Sequence, residues 1–152
     1  MSRLSDKKLL NPGRTALGTF HKAIDTELIE RPTLELVKIR ASQINGCGPC
    51  LISHWKLALE LGMRIDKLCT IDAWRETDWF SPREKAALTW TEALTRSADR
   101  HIDDATYAVV RAEFSEEEIV DLTWTIISIN SWNRINAAFA NQPTQFDPPT
   151  QI

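Results

Sequence analysis

Two cysteines and one histidine are the residues of this 152-residue chain whose types and spacing could do chemistry together. Cys47 and Cys50 are separated by two residues, and His54 follows Cys50 by four. At these spacings two thiols can close a disulfide across one helical turn. The imidazole shares a helix face with Cys50, where it can take or return a thiol proton. The segment therefore predicts thiol–disulfide redox chemistry.

The same segment predicts how one thiol is activated. A helix that begins near Pro49 directs free backbone N–H groups and the positive end of its dipole toward both sulfurs. An ordinary thiol is only about 3% ionised at pH 7, and about 2 kcal/mol of differential stabilisation makes it half ionised. Cys47 is seven residues from His54, about 10 Å along a helix axis, so we expect Cys50 to be oxidised first.

Three other interpretations of the cysteine pair are open at this point. The residues between the cysteines are Gly48 and Pro49, as in thioredoxins, but a helical segment precedes them where that fold has a strand. A structural zinc site would combine both cysteines and the following histidine with a fourth ligand from Cys69, His21 or His101. The third interpretation is a pair of buried thiols without a function.

The remaining cysteine and histidines are interpreted as structural residues. Cys69 stands alone in an apolar stretch, so we expect a core thiol there. His21 and His101 have no cysteine or acid patterned around them and are interpreted as surface or core residues rather than ligands.

Polar residues also interrupt the last apolar helix. Asn130, Asn133 and Arg134 share one of its faces at three- and four-residue spacing. We interpret them as an internal hydrogen-bond network that fixes helix packing or a subunit contact, with substrate binding as the alternative.

The elements that position these residues are predicted to be helices. The first runs through Leu17, Phe20 and Ile24, the second from Pro32 to Gly46, the third from Pro49 to Gly62, and a short fourth from Ile65 to Trp74. Proline favours the first turn of a helix, and glycine favours the position just after its last turn.

Capping signals predict the later helices. Ser81 and Ser115 each open a capping box, and Asp103 can cap a helix between them. No stretch shows sustained period-two alternation with turn residues on both sides. The predicted fold is therefore all-α, with about six or seven helices.

Composition narrows the class of protein further. Hydrophobic residues make up 43% and charged residues 26%, and 18 Lys and Arg stand against 21 Asp and Glu. We expect a single domain over residues 1–152, with a core at about 15–140 and a Pro-rich tail at 143–152. The charge disfavours nucleic-acid binding, no apolar run reaches the length of a membrane span, and the N-terminus lacks an apolar leader. We expect a cytoplasmic protein.

The segment from Glu35 to His54 resembles the core motif of alkyl hydroperoxidase D (AhpD)-like proteins in the carboxymuconolactone decarboxylase superfamily. Redox members share a Glu, followed by Ser-x-x-Asn-x-Cys-x-x-Cys-x-x-x-His. The likeness continues in Trp74-Arg75-Glu76, in Phe80 to Leu88 and in Ile129 to Ile135, which carries an Asn-x-Trp-Asn-Arg ending. Together these stretches cover roughly residues 15 to 140.

The resemblance implies an all-helical fold, assembly into trimers or hexamers, and thiol peroxidase chemistry. It implies that Cys50 attacks the peroxide, Cys47 is the resolving thiol, and His54 and Glu35 form a proton relay. The implied partners are a hydroperoxide and an external dithiol or reductase, without a resident cofactor or metal. Some family members have a His inside the Cys-x-x-Cys, where this chain has Gly48-Pro49.

Helix geometry leaves the contact between Glu35 and His54 open. If the second and third helices form an antiparallel hairpin, the two residues are offset by about 6 Å along the helix axes. A bridging water, or a break in the second helix near Ser42, would close that gap.

The leading hypothesis is thus a dithiol peroxidase or a related thiol–disulfide oxidoreductase. One alternative is a non-catalytic redox sensor or oligomeric binding module, and another is a lactone decarboxylase, which has no need of the cysteine pair. No Gly-rich nucleotide loop is present, so NAD or flavin would belong to a partner.

Overall fold

The structure, a computed structural model, describes residues 2–145, and no strand occurs among them. The seven α-helices of these residues are α1 (Asn11–Ala23), α2 (Arg31–Ile44), α3 (Gly48–Glu60), α4 (Ile65–Cys69), α5 (Pro82–Thr95), α6 (Asp104–Arg111) and α7 (Glu116–Ala138). Short 3₁₀ segments lie at Lys7–Leu10 and Ile71–Glu76. The predicted all-α fold is confirmed. The predicted Pro-rich tail lies outside the described residues from 146 onward.

None of the described helices is long and apolar enough to cross a lipid bilayer.

The capping signals place helix starts where the sequence predicts them. Ser81 and Glu84 form the capping box of α5, and Ser115 and Glu118 form that of α7. The side chain of Asp103 caps α6. In each case a side-chain oxygen accepts a hydrogen bond from a backbone N–H group that has no partner within the helix.

The turn between α2 and α3 is fixed by main-chain hydrogen bonds. Gly46 has φ +64°, a left-handed conformation that glycine adopts without strain. The amide of Cys47 donates to the carbonyl of Ser42 at 2.9 Å, and the amide of Gly46 donates to that of Gln43 at 3.2 Å. This is the Schellman arrangement, which ends α2 and places Cys47 directly before α3.

Helix α2 lies at the centre of the molecule. Leu34 and Val37 belong to a core cluster with α5, α6 and α7, and Leu36 and Ile39 belong to a second cluster with α3 and α4. Ala41 packs in a third cluster with both linked cysteines. Since α2 is buried on several sides, any polar side chain on it needs a partner inside the protein.

The predicted fourth helix is two elements in the structure. Helix α4 ends at Cys69, and the 3₁₀ segment Ile71–Glu76 follows. Leu68 and Ile71 are buried, whereas Cys69 is exposed, so the prediction of a core thiol is wrong. Side chains of adjacent helical residues point about 100° apart. Because Leu68 points into the core, the next residue, Cys69, points toward solvent.

Only some of the tryptophans fill the core. Trp74 and Trp90 are buried, whereas Trp79 and Trp124 are 51% and 45% exposed. Two of the tryptophans therefore lie on the surface rather than in the core. Trp124 packs edge to face on Phe20 of α1.

Glu92 of α5 ties α2 and the second 3₁₀ segment together. Its carboxylate is 2.7 Å from Nη2 of Arg40 and 2.9 Å from Nη1 of Arg75, and it accepts a hydrogen bond from Nε1 of Trp74 at 3.1 Å. Burial acts to raise the pKa of Glu92, but the hydrogen bonds from Trp74, Arg75 and Arg40 outweigh it and hold that pKa below its ordinary value. The carboxylate is therefore ionised in the folded protein at neutral pH.

We predict that Glu92→Gln lowers the free energy of unfolding at pH 7 by about 3 kcal/mol, because the guanidinium of Arg40, only 11% exposed, loses its oppositely charged partner. For a chain of this length the loss corresponds to a melting temperature roughly 6–12 °C lower. Folding lowers the pKa of Glu92, so its contribution is present at neutral pH and is lost as the pH falls through the lowered value. Thermal melts of the two proteins should therefore converge in acid.

The matched control is Glu60→Gln, which removes a carboxylate whose pairing with Lys56 lies on the surface at 3.9 Å. Its melting temperature should stay close to that of the original protein. Equal effects of the two substitutions would contradict the role given to Glu92.

Candidate active site

A direct hydrogen bond joins α2 to α3 at the candidate site. Nδ1 of His54 lies 2.7 Å from Oε2 of Glu35, so neither a bridging water nor a helix break is needed. Helix α2 continues through Ser42. The two side chains therefore span the axial offset of about 6 Å that helix geometry predicts.

Glu35 has a second partner in Lys38. The side chain of Glu35 is only 7% exposed, and Nζ of Lys38 lies 2.8 Å from Oε1. Burial acts to raise the pKa of Glu35, but the hydrogen bond and charge of His54, together with Lys38, hold it below the ordinary value. Because Nδ1 of His54 is bound to an ionised carboxylate, Nε2 is the nitrogen that remains to exchange protons.

The two cysteines of the motif are joined at the start of α3. Cys47 and Cys50 form a disulfide with their Cα atoms 5.4 Å apart. Both are buried and pack against Ala41, Ile129 and the partly buried Trp132. Cys47 immediately precedes the helix, so the positive end of the α3 dipole faces the sulfurs, as the sequence predicts.

Asn136 of α7 is a polar neighbour of both sulfurs that sequence reasoning missed. Its Nδ2 lies 3.2 Å from Sγ of Cys50 and 3.7 Å from Sγ of Cys47. Nδ2 of Asn141 donates to Oδ1 of Asn136 at 2.9 Å, which leaves the amide nitrogen of Asn136 directed at sulfur. The signal that could have found it is its three-residue spacing from Asn133.

A cavity of about 560 Å³ opens over one of the two sulfurs. Cys50 and His54 line it, whereas Cys47 is not among the described residues that do. Trp132 and Ile129 form apolar parts of its wall. A molecule in this cavity would therefore meet the sulfur of Cys50 and the imidazole of His54.

The asparagines of α7 hold the turn that carries the motif. Nδ2 of Asn45 donates to Oδ1 of Asn130 at 2.9 Å and to Oδ1 of Asn133 at 3.0 Å. Nδ2 of Asn133 donates to Oγ of Ser42 at 3.1 Å, and Nη1 of Arg134 donates to Oδ1 of Asn130 at 2.9 Å. This is the internal network that the sequence predicts, and it positions the motif.

The other two histidines differ in their distance from the site. Nδ1 of His21 is 3.1 Å from Oγ of Ser128, and His21 lines the cavity with His54. The sequence analysis interpreted His21 as a surface or core residue, because only the docking of α1 brings it to the cavity. His101 is exposed. Among residues 2–145, no group of three or more His, Cys, Asp or Glu side chains is placed to hold a metal ion.

Sequence comparisons place the chain among known relatives. The family model of the carboxymuconolactone decarboxylase family matches residues 14–93. The uncharacterized protein YdfG of Bacillus subtilis is 38% identical over 140 residues, which cover 92% of this chain and 95% of that protein. The uncharacterized protein YnjA of Escherichia coli is 33% identical over 104 residues, which cover 68% of this chain and 56% of YnjA.

Solved structures share the fold. A protein of unknown function from Agrobacterium tumefaciens, ATU0492, for which an AhpD antioxidant defence role has been suggested, superposes with a TM-score of 0.90 at 32% identity. The match covers 96% of this chain and 100% of that one. The debrominase Bmp8 superposes with a TM-score of 0.78 at 24% identity, over 88% of this chain and 73% of Bmp8, a likeness of fold alone.

We predict that Asn136→Ala slows alkylation of reduced Cys50 about tenfold at neutral pH, because a hydrogen bond to a charged group contributes about 1.5–3 kcal/mol. The half-maximal rate should move to higher pH, since the thiolate loses a donor. The measurement is the pH profile of iodoacetamide modification, read by mass spectrometry in a Cys47→Ser/Cys69→Ser background. Cys69 is removed because it is exposed.

Asn11→Ala serves as the matched control, since Asn11 is exposed and does not line the cavity. It should leave the alkylation profile of Cys50 unchanged. If Asn136→Ala also leaves the profile unchanged, the amide does not stabilise the thiolate.

Proposed function

The chain belongs to the carboxymuconolactone decarboxylase family as an AhpD-like member, and we propose that it is a thiol-dependent peroxidase. In this proposal the enzyme cycles between the Cys47–Cys50 disulfide and the free dithiol. Its substrate is a hydroperoxide, and its reductant is an external dithiol or a reductase.

One observation carries the proposal. Cys50 and His54 line the same cavity, and the imidazole is held by a buried carboxylate on its other nitrogen. A nucleophilic thiol, a base that shares its cavity, and a group that orients the base are the parts that proton-coupled thiol chemistry requires. Cys47 is bonded to Cys50 but does not line the cavity among the described residues, which suits a resolving thiol.

The first step oxidises Cys50. His54 takes the thiol proton at Nε2, and the Cys50 thiolate attacks the terminal oxygen of the hydroperoxide. A sulfur–oxygen bond forms as the O–O bond breaks, so sulfur loses two electrons and becomes a sulfenic acid. The leaving alkoxide takes the proton from His54 and departs as an alcohol. Glu35 stabilises the imidazolium while it exists.

The second and third steps restore the dithiol. Cys47 attacks the sulfenic sulfur of Cys50, the disulfide forms, and the hydroxyl group leaves with the proton of Cys47 as water. An external dithiol then reduces the pair by exchange and is itself oxidised to a disulfide. We propose a cytoplasmic setting for this cycle, because dithiol reductants are kept reduced there.

Two other functions make different demands on the same residues. A redox sensor or binding module would form the disulfide but would not turn over with any hydroperoxide. A lactone decarboxylase would keep its activity without cysteines. Steady-state peroxide consumption with a dithiol reductant, compared with that of Cys47→Ser/Cys50→Ser, separates these functions from a peroxidase.

We predict that the first oxidation falls on Cys50. Each single Cys→Ser variant of the pair, reduced and given one equivalent of hydroperoxide, is treated with a sulfenic-acid trap and analysed by mass spectrometry. Cys47→Ser should be trapped on Cys50, and Cys50→Ser should show little trapping on Cys47, because Cys50 shares the cavity with His54. His54→Ala should slow the trapping about a hundredfold, as expected for loss of a general base.

His101→Ala is the matched control, since His101 is exposed and outside the cavity. It should trap at the rate of the parent protein. The assignment fails if Cys47 is the sulfur that is trapped, or if trapping on Cys50 is unaffected by His54→Ala.

We also propose that the enzyme is a homo-oligomer of at least three subunits. Val120, Trp124 and Ile127 form an apolar stripe on α7 and are 55%, 45% and 37% exposed, and Leu28 beside them is 48% exposed. Apolar faces of this kind are typical of subunit interfaces.

For the assembly, we expect sedimentation at micromolar concentration to give a species of trimer size or larger. Trp124→Glu should shift the distribution to smaller species, because it places a charge in the apolar stripe. Ala137→Glu is the matched control, because Ala137 is exposed on the same helix and lies outside that stripe. A 17.3 kDa species alone would refute the assembly.

A further inference from the structure

The cavity over Cys50 carries charge of one sign. Lys7, Arg14, Lys22 and Lys38 line it, and no Asp or Glu is among the described residues that do. The whole chain has a formal charge of −3, so the positive charge of this wall is opposite in sign to the net charge of the protein. A cleft lined by one sign of charge concentrates ligands of the opposite sign.

Three of these cations have no carboxylate partner among the described residues. Lys38 is paired with Glu35 at 2.8 Å. Within residues 2–145, no carboxylate lies within 4.0 Å of the side-chain nitrogens of Lys7, Arg14 or Lys22, although ion pairs are common elsewhere in the molecule. The charge at the cavity is therefore available to a ligand.

Helix α1 supplies two of the four cations from one face. Arg14, His21 and Lys22 are spaced at i, i+7 and i+8, with Gly18 between them, and all four residues line the cavity. Burial, followed by the positive charges of Lys38 and His54, holds the pKa of His21 below its ordinary value. The ring of His21, whose Nδ1 lies 3.1 Å from Oγ of Ser128, adds a hydrogen-bonding group beside the two cations of α1.

The rest of the wall favours an organic molecule. Pro49, Ile129 and Trp132 contribute apolar surface close to Cys50. The volume of about 560 Å³ lies within the range of small-molecule sites, roughly 300–1,000 Å³. Hydrogen peroxide, which is small and uncharged, would use neither the cations nor the apolar wall.

We propose that the substrate is an organic hydroperoxide that carries a carboxylate. Arg14 and Lys22 bind the carboxylate, the apolar body lies along Ile129 and Trp132, and the peroxide group faces Cys50. A guanidinium matches a carboxylate with two parallel hydrogen bonds, which fixes orientation as well as charge. This inference rests on the proposed peroxidase function and adds its substrate class.

The test compares hydroperoxides of equal reactivity and different charge. The fully reduced protein is mixed in a stopped-flow instrument with 4-carboxycumene hydroperoxide, its methyl ester or cumene hydroperoxide. Tryptophan fluorescence is followed, because Trp132 lines the cavity. No reductant is present, so recognition of the reductant plays no part. We expect the acid to react at least about tenfold faster than the ester, as about 1.4 kcal/mol of charge-assisted binding gives.

Raising the salt concentration should reduce the preference for the acid, because Arg14 and Lys22 are exposed to solvent. In Arg14→Gln/Lys22→Gln, we expect the acid-to-ester ratio of rate constants to fall below about 3. The matched control is Lys56→Gln/Arg100→Gln, which removes one lysine and one arginine that do not line the cavity. It should retain the ratio of the parent protein.

The outcomes separate this inference from the proposed function. Equal rates for the acid and the ester in the parent protein would overturn the anionic substrate class and leave the peroxidase standing. Failure to consume any of the three hydroperoxides would refute both. An acid preference that survives in Arg14→Gln/Lys22→Gln would overturn the assignment to these residues. Should that variant not fold, the ratio and salt dependence of the parent protein decide the question.

Discussion

The buried carboxylate of Glu35 is the constraint on which the rest of the site depends. It lies on the central helix α2, where leaving an ionised group without partners would cost several kcal/mol. His54 and Lys38 meet that demand at 2.7 Å and 2.8 Å. Since His54 belongs to α3, the bond fixes how α3 lies against α2, and with it the place of Cys50 one turn earlier. A stability requirement of the core thus also orients the imidazole.

The thiols are held from the other side by amides of α7. Asn45 follows the end of α2 and bonds to Asn130 and Asn133, and Asn136 reaches both sulfurs. The cysteine motif is therefore held between α2 and α7, which are far apart in sequence. Neutral amides suit this position, because they satisfy the backbone and the sulfurs without adding charge next to a group that must ionise.

Signals that act within one helical turn could be predicted from the sequence. The capping boxes at Ser81 and Ser115 and the left-handed glycine at Gly62 satisfy backbone groups a few residues away, so no tertiary information is needed. The contact of Glu35 with His54 depends on how two helices lie side by side. The sequence pattern does not specify this, so it cannot decide whether the contact is direct.

The errors and omissions have the same physical origin. The apolar neighbours of Cys69 predict a core position for it. Helix α4 has only five residues, however, and among them Leu68 is the one that is buried. Asn136 and the cations of α1 were missed because α1 and α7 bring them over the cysteines from both ends of the chain. Docking of one helix on another is a long-range property of the fold, and no local pattern reports it.

The balance of charges explains why Lys38 is paired with Glu35, whereas Arg14 and Lys22 have no carboxylate partner among the described residues. In the proposed cycle, the charges of Glu35 and Lys38 cancel before proton transfer, and the Cys50 thiol and the His54 imidazole both start uncharged. Afterwards the Cys50 thiolate and the His54 imidazolium cancel as well, so the proton moves without changing the net charge of the buried residues. Such a step needs little rearrangement of its surroundings. Arg14 and Lys22, which face the cavity from α1, stand outside this balance. Their positive charge is not needed to balance the reduced dithiol, and it is therefore available to bind an anionic ligand in the cavity.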